Sequence, residues 1–221
     1  MQHVFQVNEA IRSVMASYDD VTSVALLPTN NGDYLENEVG CDELAKLDID
    51  KLDFILGKCD GFIVPGGTNW YCFDEYVIKH AIKYDKPLLA ICVGFQALCS
   101  MFAVGRNKFD MTKRLDDRKH YGVVNEYRHE NYVLKNTKLE KILGSECLLV
   151  NSLHHDCVDF DMNKMNIGCY SEDGIIEAVE VLDVDFIVGI QWHPEYLKDE
   201  NSMKIFDCFV DRIIRREKRN S

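Results

Sequence analysis

A cysteine stands where a short apolar run gives way to a helical pattern. Residues 88–98 read LLAICVGFQAL, so Cys92 ends the run and Gly94 comes two places later. In a nucleophile elbow the reactive residue occupies a sharp turn between a strand and a helix, and its neighbours two places away must be small. Ala90 and Gly94 meet that requirement, and the N-terminus of the following helix would favour the attacking thiolate. A buried core cysteine is the competing interpretation.

A double glycine follows another apolar run and could supply donors for an oxyanion. Residues 62–70 read FIVPGGTNW, with Gly66 and Gly67 close behind the run. Because glycine carries no Cβ, the backbone there can come close to a ligand and present its N–H groups. The N–H of Val93, directly after the cysteine, could point at the same developing charge. An ordinary strand-to-helix turn is the competing interpretation of the glycines.

A histidine and a carboxylate follow a third apolar run. Residues 186–195 read FIVGIQWHPE, so His193 and Glu195 flank a proline just after the run. A histidine at one strand end can take the proton of a thiol at a neighbouring strand end, while a carboxylate holds its other ring nitrogen. The three segments together predict cysteine-based nucleophilic catalysis. A surface turn is the competing interpretation of the His-Pro-Glu segment by itself.

The elements that must position these segments alternate in the first half of the chain. The predicted buried strands lie at residues 22–28, 60–64 and 86–92. The predicted helices between and after them lie at residues 41–59, 74–86 and 94–104. Such alternation is typical of a parallel sheet that is covered by helices on both faces. We therefore predict an α/β fold with a central, mostly parallel sheet.

The second half of the chain has a different pattern. Short apolar runs separated by polar turns predict strands at residues 131–135, 146–150, 166–171, 175–181 and 186–192. An amphipathic helix is predicted at 202–216. No Pro/Gly/Ser-rich linker divides the 221 residues, so we expect a single domain over 1–221.

Composition excludes several classes of function. The net charge of −12 argues against a nucleic-acid-binding face and against an anionic membrane surface, and no apolar stretch is long enough to span a bilayer. The nine cysteines are scattered without a C-x-x-C motif, which is typical of reduced thiols in a cytoplasmic protein. No tight Cys/His cluster predicts a zinc site. We expect neither a metal nor another cofactor.

Taken together, the motifs resemble the class I glutamine amidotransferase-like superfamily. The similarity is carried by AICVGFQAL at 90–98 and GIQWHPE at 189–195. Further segments resemble its gamma-glutamyl hydrolase branch, which includes the gamma-glutamyl-gamma-aminobutyrate hydrolases (peptidase C26). These segments are VNEAI at 7–11, VNSLHHDCV at 150–158 and DGIIEAVE at 173–180. The resemblance covers nearly the whole chain.

The resemblance implies a fold and a set of roles. The fold is a three-layer α/β/α arrangement of the flavodoxin-like glutamine amidotransferase type. Cys92 would be the nucleophile, His193 the base and Glu195 the residue that orients the base. Backbone N–H groups of Gly66, Gly67 and Val93 would form the oxyanion hole. Polar residues would bind or flank the glutamyl group, and these are Gln96, Asn151, Ser152, His154 and His155.

Several positions differ from the pattern of this family. Ala90 stands where the elbow usually begins with glycine, and Val93 replaces a polar or basic residue. The segment after the double glycine lacks the usual Asp and Pro, so we expect Trp70 to line the site with its neighbour Tyr71. Asp156 replaces a glutamine. The last two differences affect the expected leaving-group pocket and leave the three catalytic candidates unchanged.

The N-terminal segment is shorter than the family pattern requires. Only MQHVFQ precedes the VNEA segment, where the family has the first strand of its central sheet. Either that strand is missing or the printed start lies inside a longer chain. A missing central strand would expose sheet edges and favour association.

Three functions compete at this stage. The first is a γ-glutamyl amide hydrolase that acts alone on small γ-glutamyl compounds through a glutamyl thioester. The second is a glutaminase subunit that supplies ammonia to a synthase partner, or an amidase acting on a glutamyl-carrying nucleotide or sugar. The third is a non-catalytic binding protein, which the retained cysteine, histidine and glutamate argue against. Besides a synthase, a second copy of the chain is the other partner that we consider, which would make a homodimer. His120 and His129 have no assigned role, and their segment could be a flap over the site or a solvated hairpin.

Overall fold

The computed structural model describes residues 8–26, 49–68, 70–104, 112–114, 119–158 and 163–220. The helices are α1 (Glu9–Met15), α2 (Ile49–Lys58), α3 (Cys72–Lys83), α4 (Val93–Ser100), α5 (Lys138–Leu143), α6 (Pro194–Leu197) and α7 (Glu200–Asn220). The strands are β1 (Phe62–Val64), β2 (Leu88–Ile91), β3 (Thr112–Arg114), β4 (His129–Val133), β5 (Cys147–Val150), β6 (Asp156–Val158), β7 (Met165–Ser171), β8 (Ile176–Val181) and β9 (Ile187–Ile190).

Seven of the strands form one sheet, in the order β1-β2-β9-β8-β7-β4-β5. Strands β1, β2 and β9 run parallel, with Val64 beside Ala90 and Ala90 beside Gly189. Their carboxyl ends therefore meet at one edge of the sheet, which is where open α/β sheets bind ligands. The segments that follow these three strands are the ones that carry the double glycine, the cysteine and the histidine.

Helices cover both faces of this sheet. On one face α7 contributes Phe206 and Phe209 to a core cluster with Leu89 of β2. On the other face α3 and α4 contribute Ile78 and Phe95 to a second cluster. Strand β2 is buried on both sides, which explains its uninterrupted apolar sequence. The α/β/α fold class is thus confirmed.

The strand pairings beyond β9 are antiparallel. Strands β8, β7, β4 and β5 follow one another in this way, so the sheet is mixed and not mostly parallel. Short turns join β7 to β8 and β8 to β9, as antiparallel neighbours allow, whereas α5 lies between β4 and β5. A separate pair of strands, β3 and β6, is also antiparallel.

The first predicted strand is wrong over its described part. Residues 22–26 form no strand, and Val24 is 70% exposed. Among the described residues β1 is the edge of the sheet, and no partner holds the 22–26 segment beside it. Residues 1–7 and 41–48, which bear on the first strand of the family pattern and on the start of the helix predicted at 41–59, lie outside the described residues. None of the described helices has the length and apolarity needed to cross a membrane.

Gly94 allows α4 to pack directly on β1. A Cβ at this position would lie 2.3 Å from the carbonyl oxygen of Val64. That oxygen belongs to backbone in the sheet and cannot turn away. We expect Gly94→Ala to destabilise the protein by about 3 kcal/mol, at the upper end of overpacking penalties. Chemical denaturation measures this, with Gly57→Ala as the control because nothing lies within 4 Å of its Cβ position. Equal stability of the two variants would contradict the close packing.

Candidate active site

Cys92 occupies a strained turn between β2 and α4. Its φ is 52° and its ψ is −107°, a conformation that side-chain-bearing residues rarely adopt. The turn is held on both sides, since Cys92 N donates to Ile190 O at 2.8 Å and Gln96 N donates to Cys92 O at 3.0 Å. Such strain, of about 1–3 kcal/mol, persists where the surrounding structure enforces it. The predicted sharp turn between a strand and a helix at Cys92 is therefore present.

The His193 ring connects the thiol with a carboxylate. The ring lies beside the Cys92 side chain, since both flank the Cβ position of Gly66, and its Nδ1 lies 2.8 Å from Glu195 Oε1. Burial alone would lower the pKa of this imidazole, but its interactions with Cys92 and Glu195 outweigh burial and raise the pKa to about 10. The protonated ring is thereby favoured, which is the form that pairs with a thiolate and can later donate a proton.

Glu195 is fully buried and has a second partner that the sequence did not reveal. Its Oε1 accepts a hydrogen bond of 3.4 Å from Asn8 Nδ2. Asn8 also caps α1, since its Oδ1 accepts from the backbone N–H groups of Ala10 and Ile11. The capping pattern of an asparagine before an acidic residue was visible in VNEA. Its link to Glu195, 187 positions away, depends on the tertiary structure.

Asn151 holds the backbone of His193. Its Nδ2 donates to His193 O at 2.8 Å, and its Oδ1 accepts from His193 N at 2.9 Å. The same amide nitrogen also donates to Val124 O. The Asn151 side chain is fully buried, and its amide forms hydrogen bonds with the backbone of His193. This placement favours a role for Asn151 in positioning His193. The resemblance, by contrast, implies that Asn151 flanks the glutamyl group.

Asn151→Ala should lower kcat about 10–100-fold with a smaller change in KM. Loss of both bonds leaves buried backbone groups of His193 unpaired, at about 1–3 kcal/mol, and lets the ring leave its alignment. Steady-state kinetics on any amide that the protein hydrolyses provides the measurement. Asn166→Ala is the control, because Asn166 is an exposed asparagine of β7. An effect confined to KM would instead support direct substrate binding.

Gly66 lies against both catalytic candidates. A Cβ there would be 2.7 Å from His193 Cε1 and 3.1 Å from Cys92 Cβ. The backbone of the double-glycine turn therefore comes within van der Waals distance of the elbow. A cleft lined by Gly66, Asn8, Tyr196 and Lys198 opens at this point of the surface.

Gln96 lies one turn into α4 and is nearly buried. Its Nε2 donates to Gln191 Oε1 at 3.1 Å and to Asp156 O at 3.3 Å. The amide is thus held by protein groups on two sides, and Gln191 is a partner that sequence reasoning missed. These contacts fix the side chain beside Asp156, the first residue of β6.

The remaining predicted binding residues are spread over different surroundings. Ser152 is fully buried and donates to His120 O at 2.8 Å. His154 is buried as well, whereas His155 is exposed and stacks on Tyr121 at 4.0 Å between ring centroids. Trp70 is half-buried against both core clusters, and its Nε1 donates to Glu75 Oε1. The structure thus groups Cys92, Val93, His193, Glu195 and Gly66 more closely than it groups the binding candidates.

Comparisons with known proteins agree with this arrangement. The family model described as Peptidase C26 matches residues 72–195. The gamma-glutamyl-gamma-aminobutyrate hydrolase PuuD of Escherichia coli is 31% identical over 190 residues, covering 72% of this chain and 74% of that protein. Protein NtpR of Enterococcus hirae is 32% identical over 148 residues, covering 64% of this chain and 61% of that protein.

A solved structure supports the fold independently. The glutaminase domain of the Trypanosoma brucei CTPS, with bound acivicin, matches with a TM-score of 0.62 at 19% identity, covering 81% of this chain and 80% of that one. The fold and the matched relatives together define a glutamine amidotransferase-like amide hydrolase. Within that class, the chain belongs to the peptidase C26 family.

Proposed function

We propose that the protein hydrolyses the γ-glutamyl amide bond of small γ-glutamyl compounds and releases glutamate. The observation that carries this proposal is the thiol–imidazole–carboxylate chain of Cys92, His193 and Glu195 at the strained elbow. The similarity to the gamma-glutamyl-gamma-aminobutyrate hydrolase supports the choice of a γ-glutamyl substrate.

The first half of the reaction forms a thioester. The Cys92 sulfur attacks the γ-carbonyl carbon, and the carbonyl electron pair moves to oxygen, where N–H groups of Val93 and the Gly66-Gly67 turn stabilise the charge. One such donor typically contributes roughly 3 kcal/mol. When the carbon–nitrogen bond breaks, protonated His193 donates its proton to the leaving amine. The glutamyl group stays on sulfur as a thioester.

The second half returns the enzyme to its starting state. Neutral His193 removes a proton from water, and the resulting oxygen nucleophile attacks the thioester carbon. The carbon–sulfur bond then breaks, glutamate leaves, and the proton on His193 again pairs with the thiolate. Glu195 and Asn151 keep the ring aligned through both halves. The odd number of scattered cysteines supports a reducing, cytoplasmic setting for this thiol chemistry.

A panel of γ-glutamyl amides, scored by released glutamate, tests the proposal. We expect turnover of γ-glutamyl amines or peptides by the protein alone. Hydrolysis of glutamine only after a second protein is added would instead favour an ammonia-supplying subunit. No release of glutamate from any member of the panel, with or without a synthase partner, would overturn both.

A further inference from the structure

Three histidines and a glutamate meet in the interior, outside the proposed catalytic residues. They are His120, His129, His154 and Glu177, and each can offer one ligand atom such that all four atoms lie within 4.8 Å of one another. All four residues are buried, with exposed fractions of 1%, 6%, 5% and 0%. His129 Nε2, His154 Nε2 and both Glu177 carboxylate oxygens lack a hydrogen-bond partner. Buried polar atoms without partners are costly and call for an explanation.

The spacing suits one small cation. Glu177 Oε1 lies 3.3 Å from His120 Nδ1, 3.3 Å from His154 Nε2 and 3.9 Å from His129 Nε2. Tetrahedral zinc with ligands at about 2.0–2.1 Å places neighbouring ligand atoms roughly 3.3–3.4 Å apart. Small rotations of the four side chains would therefore bring them to that geometry.

The outer ring nitrogens of two of the histidines are already oriented. His120 Nε2 lies 3.2 Å from a carboxylate oxygen of Asp173, which leaves Nδ1 facing Glu177. His154 Nδ1 lies 3.0 Å from Asp156 O, which leaves Nε2 facing Glu177. Metal-binding histidines commonly direct their other ring nitrogen to a carboxylate or a backbone carbonyl in this way.

We propose that His120, His129, His154 and Glu177 form a closed, structural binding site for a divalent transition-metal ion, with zinc as the best-fitting ion. Imidazole nitrogen and carboxylate oxygen are suitable zinc ligands, and four protein ligands without an exposed position leave no room for a reacting water. The charges of Glu177 and Asp173 would balance the ion. This site is independent of the Cys92 chemistry.

The ion would connect segments that are distant in the chain. His129 begins β4, Glu177 lies on β8, and His120 and His154 come from the segments before β4 and β6. Asp156 O links His154 to Gln96, which in turn contacts Gln191. A bound ion would thus fix the wall that carries the glutamyl-binding candidates Gln96 and Ser152.

A proton is the alternative occupant of the cluster. Glu177 Oε1 lies 3.3 Å from His120 Nδ1, so a protonated His120 would balance the carboxylate without metal. A protein whose cluster holds zinc differs from one whose cluster holds a proton in its metal content and in the response of its Tm to added zinc.

Metal analysis and metal titration of the full-length protein distinguish them. We expect about one zinc ion per chain after purification without chelator. Removal of the ion followed by addition of zinc should raise the Tm by roughly 5–10 °C. Cobalt substitution should give the intense visible absorption of a tetrahedral site without the sulfur-to-cobalt charge-transfer band of thiolate ligation. Such a band would overturn the proposal, because it would place the metal on the cysteines. No bound metal and no shift in Tm would favour the proton.

Variants identify the ligands. His154→Gln should lose the metal, whereas His155→Gln, altered at the exposed neighbouring histidine, should keep it. Asp173→Asn leaves all four ligands in place and should weaken zinc binding about 10–100-fold. Equal zinc affinity of all three variants and the wild type would overturn the assignment. These readouts do not use activity, so a failure of the proposed hydrolase function would leave them interpretable.

Discussion

Cys92→Ala is expected to lower the rate of amide hydrolysis at least about 10⁴-fold, the scale seen when a nucleophile is removed from such a catalytic unit. In the proposed mechanism only the Cys92 sulfur forms the thioester, and His193 and Glu195 act through that sulfur. The fold should persist, because the substitution removes one atom from a small side chain and leaves the backbone contacts to Ile190 and Gln96 in place. Released glutamate and the Tm are the two measurements.

Cys147→Ala is the matched control for this variant. Cys147 is exposed, so it is the more accessible of the two thiols, yet it lies on β5 away from β2 in the sheet order. A glutamine analogue with an electrophilic side chain should alkylate Cys92 in the wild type and in the Cys147 variant. Labelling that follows exposure, with Cys147 modified first and Cys92 spared, would contradict the activation of Cys92 by His193. So would full activity of Cys92→Ala.

Gly66→Ala is expected to reduce kcat/KM about 10²–10³-fold while leaving the protein folded. The new methyl group would lie 2.7 Å from His193 Cε1 and 3.1 Å from Cys92 Cβ. The imidazole can turn to relieve the contact, which limits the loss of stability but breaks its alignment with the thiol. The methyl group would also occupy space beside the thiol and disturb the proposed oxyanion donors, one of which contributes about 10²–10³ in rate.

Gly57→Ala tests whether that effect is specific. Gly57 lies in α2, and nothing lies within 4 Å of its Cβ position. Alanine there should raise stability slightly, since it is the better helix former, and should leave kcat/KM unchanged. Both variants are compared with the wild type by steady-state kinetics and by thermal unfolding. If Gly66→Ala were fully active, the double-glycine turn could not lie against the cysteine and histidine as described.

Much of the first half of the fold was predictable because its signals are local. Strand β2 has both faces buried, so the apolar run before Cys92 marks it without knowledge of the partners. The 22–28 segment shows the same composition, yet its described part is largely exposed and forms no strand. An apolar run indicates that a segment is able to form a strand. Whether it becomes one depends on a neighbouring strand to pair with.

In the second half of the chain, the positions of the main strands were predictable but their pairing was not. Its strands were found at nearly the predicted positions, since alternating patterns and polar turns mark them. Their antiparallel order and the short helix α5 were not predicted. The His120 and His129 segment was interpreted as a flap or a solvated hairpin, but both rings are buried. Two histidines nine positions apart do not reveal that a third at position 154 lies beside them, because the contact forms only when separate segments of the chain fold together.

The sequence by itself determined the candidates for chemistry: an apolar strand, a small-residue turn and a cysteine in one segment, and a histidine and carboxylate after another. These are consequences of chain neighbours, which sequence displays directly. The tertiary structure alone decided that Cys92 and His193 lie side by side, that Asn8 reaches Glu195 and that Asn151 holds the histidine backbone. It also decided that four scattered residues form one buried cluster. Such contacts join residues far apart in the chain, and only the order and direction of strands in the folded sheet brings them within bonding distance.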